Sequence, residues 1–139
     1  MDSTQFTKTV VAKYNNSEDE LTFTAVHLND KTIVNVQVNG AMDTTFDIPL
    51  STVSSVRQDL GNDIDNTDSG IEPVVLMGEV NNIKLEIVAT QIGKLMLSTP
   101  QPKSLILSIG SRWFGKGDVN EKDDFDKLMF VLANVKQVL

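Results

Sequence analysis

Between residues 31 and 50 the chain reads KTIVNVQVNGAMDTTFDIPL. Val34, Val36 and Val38 alternate with Asn35, Gln37 and Asn39. After Gly40, Phe46, Ile48 and Leu50 alternate with Thr45, Asp47 and Pro49. A period of two puts every second side chain on the same side of a strand, so each run is a half-buried strand with one apolar face. Two such runs around a glycine-containing turn predict an antiparallel hairpin. The apolar residues of both arms then face one core, and the rest of the chain must organise around it.

Upstream, residues 6–14 (FTKTVVAKY) are β-branched and aromatic and predict a strand. After a polar turn, residues 21–28 (LTFTAVHL) predict a second one. Its Leu21, Phe23 and Ala25 share a face, while Val26 and Leu28 lie on the other, which implies cover on both faces near its end. The first half is therefore an antiparallel meander of about four strands. The pattern then breaks. Asp59, Asp63, Asp65, Asp68 and Glu72 follow Arg57 among Ser, Asn, Thr and Gly, which predicts a mobile, solvated acidic loop at about 54–72.

Residues 73–78 (PVVLMG) predict a short buried strand. The next segment reads two ways. Ile83, Leu85 and Ile87 alternate as in a strand, while Leu85, Val88, Ile92 and Leu95, with Ala89 and Met96, form one helical stripe. Its length favours a helix from Asn82 to Ser98, with Asn81 or Asn82 as cap and Gly93 weakening it by about 1 kcal/mol. Pro100 and Pro102 end it, and residues 103–109 (KSLILSI) predict another strand. A last helix runs from Asn120 to Leu139, with Glu121, Asp123 and Asp124 at the favourable end of its dipole. Phe125, Leu128, Leu132, Val135 and Leu139 form its stripe, and Met129, Val131 and Val138 widen it. That surplus fits either a deeply buried helix or a face that meets a partner chain. The fold class is α+β: one domain, an antiparallel sheet of about six strands, and two helices.

Function is harder to read. At 139 residues the chain can bury roughly two-thirds of its unfolded surface without metal or disulfide staples. It has no cysteine, which excludes disulfides and thiolate zinc sites and suits a reducing compartment. No basic stretch leads into an apolar run at the start, and no apolar run approaches the roughly 20 residues that span a bilayer. The sequon at Asn15 is a chance match in that setting. A net charge of −7, from 19 acidic and 12 basic residues, argues against nucleic acid and anionic membranes as partners.

Three patterns touch on chemistry. The segment from Gly110 to Gly117 (GSRWFGKG) resembles a phosphate-binding loop, but Gly117 stands where the magnesium-holding Ser or Thr belongs, and the next helix starts too late. The alternating oxygen donors from Asp63 to Gly70 miss the calcium-loop requirements, with Asp68 at the sixth position and Val74 at the twelfth. His27 is the only histidine, flanked by Val26 and Leu28 in a strand, so it reads as structural; no GxSxG elbow accompanies it. No catalytic, cofactor or metal residues are assigned, and an enzyme is not expected. Arg112, Trp113, Phe114 and Lys116 remain as candidate partner-binding residues, because aromatics and Arg anchor interfaces. The competing reading has an aromatic fold back to plug the sheet edge.

With the elements placed, the chain resembles the proteasome assembly chaperone 3 family. The resemblance rests on TIVNVQVNG (32–40) leading through Ala41, Met42 and Asp43 to Thr44, Thr45 and Phe46, on PVVLMGEVNN (73–82) and the segment to Ser98, on SLILSI (104–109), and on the terminal helix. It favours the helix over the strand after Asn82. Its departures are the longer stretches 61–72 and 110–119. The resemblance implies an ATP-independent, non-catalytic chaperone of 20S proteasome assembly, without cofactor. It would pair with a related assembly chaperone as a heterodimer, bind proteasome α subunits, especially around the fifth, and promote correct α-ring formation in the cytoplasm and also the nucleus. A transient client contact would bury on the order of 1,200–2,000 Å², and the heterodimer contact would be more apolar. The rival readings are a small dimeric adaptor or scaffold of trafficking or signalling, and a nucleotide-binding or hydrolytic protein using the loop at 110–117.

Overall fold

The computed structural model describes residues 6–15, 18–50, 71–78, 81–117 and 119–139. Most of the acidic stretch at 54–72 and the calcium-like pattern from Asp63 to Gly70 lie outside them. Among the described residues, six strands and two α-helices follow one another as β1 (Thr7–Lys13), β2 (Glu20–His27), β3 (Lys31–Val38), β4 (Thr44–Ile48), β5 (Val74–Met77), α1 (Ile83–Leu97), β6 (Ser104–Ile109) and α2 (Asp124–Val138). A single 3₁₀ turn, Arg112–Phe114, separates the last two.

The α+β class stands, with one change of sheet type and one of order. The strands lie as β1-β2-β3-β6-β4-β5, and β3 pairs parallel with β6 while every other pair is antiparallel. The sheet is therefore mixed. The expected hairpin between β3 and β4 also fails, and for a local reason. Its turn does form: Asn39 and Gly40 take positive φ of 52° and 82°, and Val38 and Ala41 exchange both backbone hydrogen bonds at 3.0 Å. This is the two-residue turn that an Asn-Gly pair favours. Beyond that one bridge the arms part, because β6 enters between them.

The intruding strand is locked at its end. Gly110 N–H donates to the Val36 carbonyl at 3.1 Å, and Asp43 N–H donates to the Ile109 carbonyl at 3.3 Å. A Cβ at Gly110 would lie 2.7 Å from the Ala41 oxygen and 3.1 Å from Val38 Cγ2, so only glycine lets β6 pass under the turn. The Asp43 carboxylate then accepts from Ser111 N–H at 2.9 Å and from Ser111 Oγ at 2.6 Å. Asp43 thus caps β6 from the connection that it displaced.

The register makes two faces. On one, Val10, Phe23, Val36 and Ile109 line up across four strands, and Ala25, Val34, Leu107 and Phe46 line up across the next row. Both helices cover this face: α1 meets β4, α2 meets β1 and β2, and the helices meet each other. Phe23, Val36, Leu107 and Phe46 are fully buried there. The other face carries a polar row, Thr9, Thr24, Asn35, Ser108 and Thr45, with Thr45 Oγ1 and Ser108 Oγ 2.9 Å apart. Beside it runs an apolar row of Val26, Ile33 and Ile106, all half-buried. Cover on both faces of β2 near its end, expected from its pattern, is not supplied by either helix: Leu28 is exposed.

Helix α1 starts where expected. Asn82 Oδ1 accepts from Leu85 N–H at 3.1 Å, and Leu85, Val88, Ala89, Ile92 and Met96 are buried. Gly93, read in the sequence as a weakness, is required by packing: a Cβ there would lie 2.9 Å from Ile71 Cγ2 and 3.1 Å from Ile48 Cγ2. Helix α2 starts at Asp124, later than the expected Asn120. The Asp124 carboxylate reaches back to accept from Glu121 N–H at 2.9 Å, so residues 121–123 form a turn before the helix. Its buried stripe is Val131, Val135 and Val138, while Phe125 is exposed. Phe130 sets this rotation, because it reaches Tyr14 and Phe23 at 5.3 and 6.1 Å between ring centres.

Candidate interaction surfaces

The four residues singled out after β6 separate into two pairs. Trp113 and Phe114 are 7% and 3% exposed, so both rings belong to the core and the fold-back reading describes them. Trp113 packs edge-on against Tyr14 at 5.1 Å and Phe114 at 5.0 Å. Such aromatic pairs contribute about 0.5–1.5 kcal/mol beyond their buried area. Each helix also ties down this 3₁₀ turn. Lys127 Nζ of α2 donates to the Trp113 carbonyl at 2.5 Å and stands 5.0 Å over the indole. Lys84 Nζ of α1 donates to the Phe114 carbonyl at 3.0 Å. Arg112 and Lys116 remain exposed at the surface of the loop.

This geometry also explains the likeness to a phosphate loop. Such a loop turns backbone N–H groups toward an anion at the start of a helix. Here two lysines hold the loop's carbonyls, and α2 begins only at Asp124. A Cβ at Gly117 would lie 2.7 Å from the Asn82 Cα, so Gly117 lets the loop lie against the cap of α1. Neither Lys84 nor Lys127 stood out in the sequence. Their signal was helical spacing alone, which places them beside the loop only once the helices are docked.

Charge around the loop is balanced locally. Carboxylate oxygens of Glu121, Asp123 and Asp124 lie within 4.8 Å of one another. Lys84 Nζ pairs with Asp124 at 3.1 Å, and Lys127 Nζ lies 3.9 Å from Asp123. The bond from Glu121 N–H holds the Asp124 carboxyl below its ordinary range; burial works against that, and Lys84 adds to it. At Asp43 burial raises the carboxyl, but the bonds from Ser111 and Thr44 outweigh it and the net direction is down. For the Tyr14 phenol, burial and then the fields of Asp123 and Asp126 all push upward, so it stays neutral and an uncharged part of the core.

His27 is a structural tie. Its Nε2 lies 2.9 Å from the Val138 carbonyl, an acceptor only, so the ring donates there and pins the end of α2 to β2. No hydroxyl or thiol that the ring could activate as a general base is among its described hydrogen-bond partners.

What the described surface offers is apolar area in separate places. Ile83 and Ile87 of α1 and Phe125 and Met129 of α2 are exposed by 59, 47, 67 and 47%. Ile83, Ile87 and Phe125, with Leu128, line a groove of about 240 Å³ between the helices. On the opposite side lies the sheet face with half-buried Val26, Ile33 and Ile106, over which no described helix packs. Clustered exposed apolar groups on a small domain mark contact surfaces. Of the residues that widen the stripe of the last helix, Val131 and Val138 are buried in the core and Met129 is exposed, beside Phe125 of the stripe itself. Among the described residues, no helix is long and apolar enough to cross a membrane.

Comparison with known proteins agrees with a chain built for contacts. Proteasome chaperone 3 of Saccharomyces cerevisiae is 24% identical over 151 aligned residues, covering 86% of this chain and 84% of that protein. A chain in the crystal structure of a novel chaperone complex for yeast 20S proteasome assembly shares the fold, with a TM-score of 0.73 at 24% identity over 94% of this chain and 96% of that one. The family model for 20S proteasome chaperone assembly proteins 3 and 4 matches residues 1–136, nearly the whole chain. The mixed sheet with two helices on one face, and the apolar surfaces it leaves open, are therefore those of a member of the family of 20S proteasome chaperone assembly proteins 3 and 4.

Proposed function

We propose that this chain is an ATP-independent chaperone of 20S proteasome assembly that works by binding and performs no catalysis. In this reading it forms a heterodimer with a related assembly chaperone. It holds proteasome α subunits, especially around the fifth, and promotes their correct order in the α-ring, in the cytoplasm and also in the nucleus. The match of the family model across residues 1–136 carries the proposal. The fold supports it independently: apolar groups are exposed on both sides of the two-layer domain, so a partner chaperone and a client can be held at once. Arg112 and Lys116, exposed beside the buried Trp113 and Phe114, are polar contacts for such a surface, and the buried rings keep their loop rigid. Selectivity then comes from matching one α-subunit surface and clashing with wrong neighbours.

The test is affinity purification of the tagged chain from cells at physiological salt. A related small chaperone and α subunits of the proteasome are expected together. Recovery of trafficking or signalling proteins instead, with no α subunit, would favour the adaptor reading. A thermal shift with Mg-ATP that Lys116→Ala abolishes would overturn the ATP-independent one.

A further inference from the structure

Among the described residues the sheet ends in two edge strands, β1 and β5, and they are built differently. An edge strand presents unpaired backbone N–H and C=O groups, and soluble proteins blunt it with charge, especially lysine. Strand β1 carries Lys8 and Lys13, both exposed. Strand β5 reads VVLM, with no charge, and Val74, Leu76 and Met77 are exposed by 52, 57 and 68%. Among the described residues β4 is its only neighbour in the sheet. A bulge in β5 leaves its extra residue, Leu76, unopposed between the pairs Phe46–Val75 and Thr45–Met77.

We propose that the outer edge of β5 receives an extended, basic segment of a partner protein as an additional strand. Unpaired backbone groups select an extended segment, since main-chain hydrogen bonds provide the affinity and alternate side chains the specificity. Charge selects basic residues: Asp47 lies opposite Val74, and Glu72 precedes the strand on the surface. A second copy of this chain fits poorly. Pairing β5 with β5 would bring the same acidic groups together in a chain of net charge −7. Whatever the partner, four residues per strand bury far less than the ~1,200 Å² of a specific protein interface. The strand is an added grip within a larger contact. The inference stands whether or not the client is a proteasome subunit.

The experiment is an NMR titration of the ¹⁵N-labelled full chain with a short peptide of alternating valine and lysine. Shift changes centred on the β5 amides and slower exchange of their hydrogens are expected, with binding weakening as salt rises. Leu76→Lys should weaken the response about tenfold or more by charging the edge. Leu76→Thr, which keeps strand propensity, should retain it. N-methylation of alternate peptide amides should abolish it, as should replacing lysine by glutamate. Equal binding of the N-methylated or glutamate peptide would overturn the proposal, and so would a response centred on the groove between Ile83 and Phe125. A dimer in sedimentation that Leu76→Lys dissolves would assign the edge to a second copy. Binding seen only after residues 54–68 are replaced by a short linker would assign it to this chain's own segment; either result overturns the proposal.

Discussion

The two faces of the sheet come from the same strands and differ in what they cost to disturb. On the helix-covered face, Phe23, Val36, Leu107 and Phe46 sit in rows with no exposure at all. One residue along each strand, Thr24, Asn35, Ser108 and Thr45 form a polar row that water reaches, with Val26, Ile33 and Ile106 alongside. The first face stores the stability of the domain. The second has no described helix packed on it, so its side chains should contribute less to holding the monomer together. The second face can vary without unfolding the domain, because the period of two keeps the faces independent.

Substitutions on either side sharpen the contrast. Phe46→Ala empties a fully buried site under α1 and should cost about 3–5 kcal/mol, read as a lower urea midpoint at unchanged slope. Gly110→Ala attacks the passage that lets β6 divide β3 from β4, and so both faces at once. Its Cβ would meet backbone, and a loss of about 1–3 kcal/mol is expected in the same measurement. At Asp43 the effect is smaller and depends on pH. Asp43→Asn removes the charge from the bonds to Ser111; the residue is more than a third exposed, so solvent screening holds the loss to about 1 kcal/mol at neutral pH.

The sign at Asp43 follows from its depressed folded-state pKa. Its contribution is fully present above the ordinary value of 3.8 and disappears as pH falls through the lower folded-state value. Wild type and Asp43→Asn should therefore differ at pH 7 and converge in acid, and a constant gap across that range would show that the carboxylate is not the cause. The smallest effect belongs to the open face. Ile33→Thr, half-buried with no helix over it, should change monomer stability by about 0.5 kcal/mol or less. If the same substitution costs as much as Phe46→Ala, the distinction between the faces collapses.

Much of this arrangement was legible in the residues. The alternation in 31–50 assigned Val34, Val36, Phe46 and Ile48 to the buried face, and all four are fully buried. The stripe from Leu85 to Met96 and the cap at Asn82 identified α1 nearly to the residue. The fate of Trp113 and Phe114 was not legible. An aromatic pair in a loop has the same composition whether it anchors a partner or fills a gap, and only the docking of Tyr14, Phe130, Lys84 and Lys127 decides. Phe125 fits the apolar spacing of α2 but is exposed, because Phe130 turns the helix.

What the sequence by itself determined is which way the strand side chains of 31–50 face and where α1 begins, while the run 73–78, expected to be buried, is mostly exposed. The facing and the helix start are local consequences of backbone geometry, of period 2 in a strand and of a side-chain oxygen at a helix start. What the tertiary structure decided is which strands are neighbours. The turn at Asn39 and Gly40 is formed as its residues require, yet β6, more than sixty residues further on, takes the place between the arms. Backbone hydrogen bonds are the same for every strand, so pairing is settled by the best burial of Leu105, Leu107 and Ile109 between two apolar rows, and that comparison exists only when the whole chain is assembled.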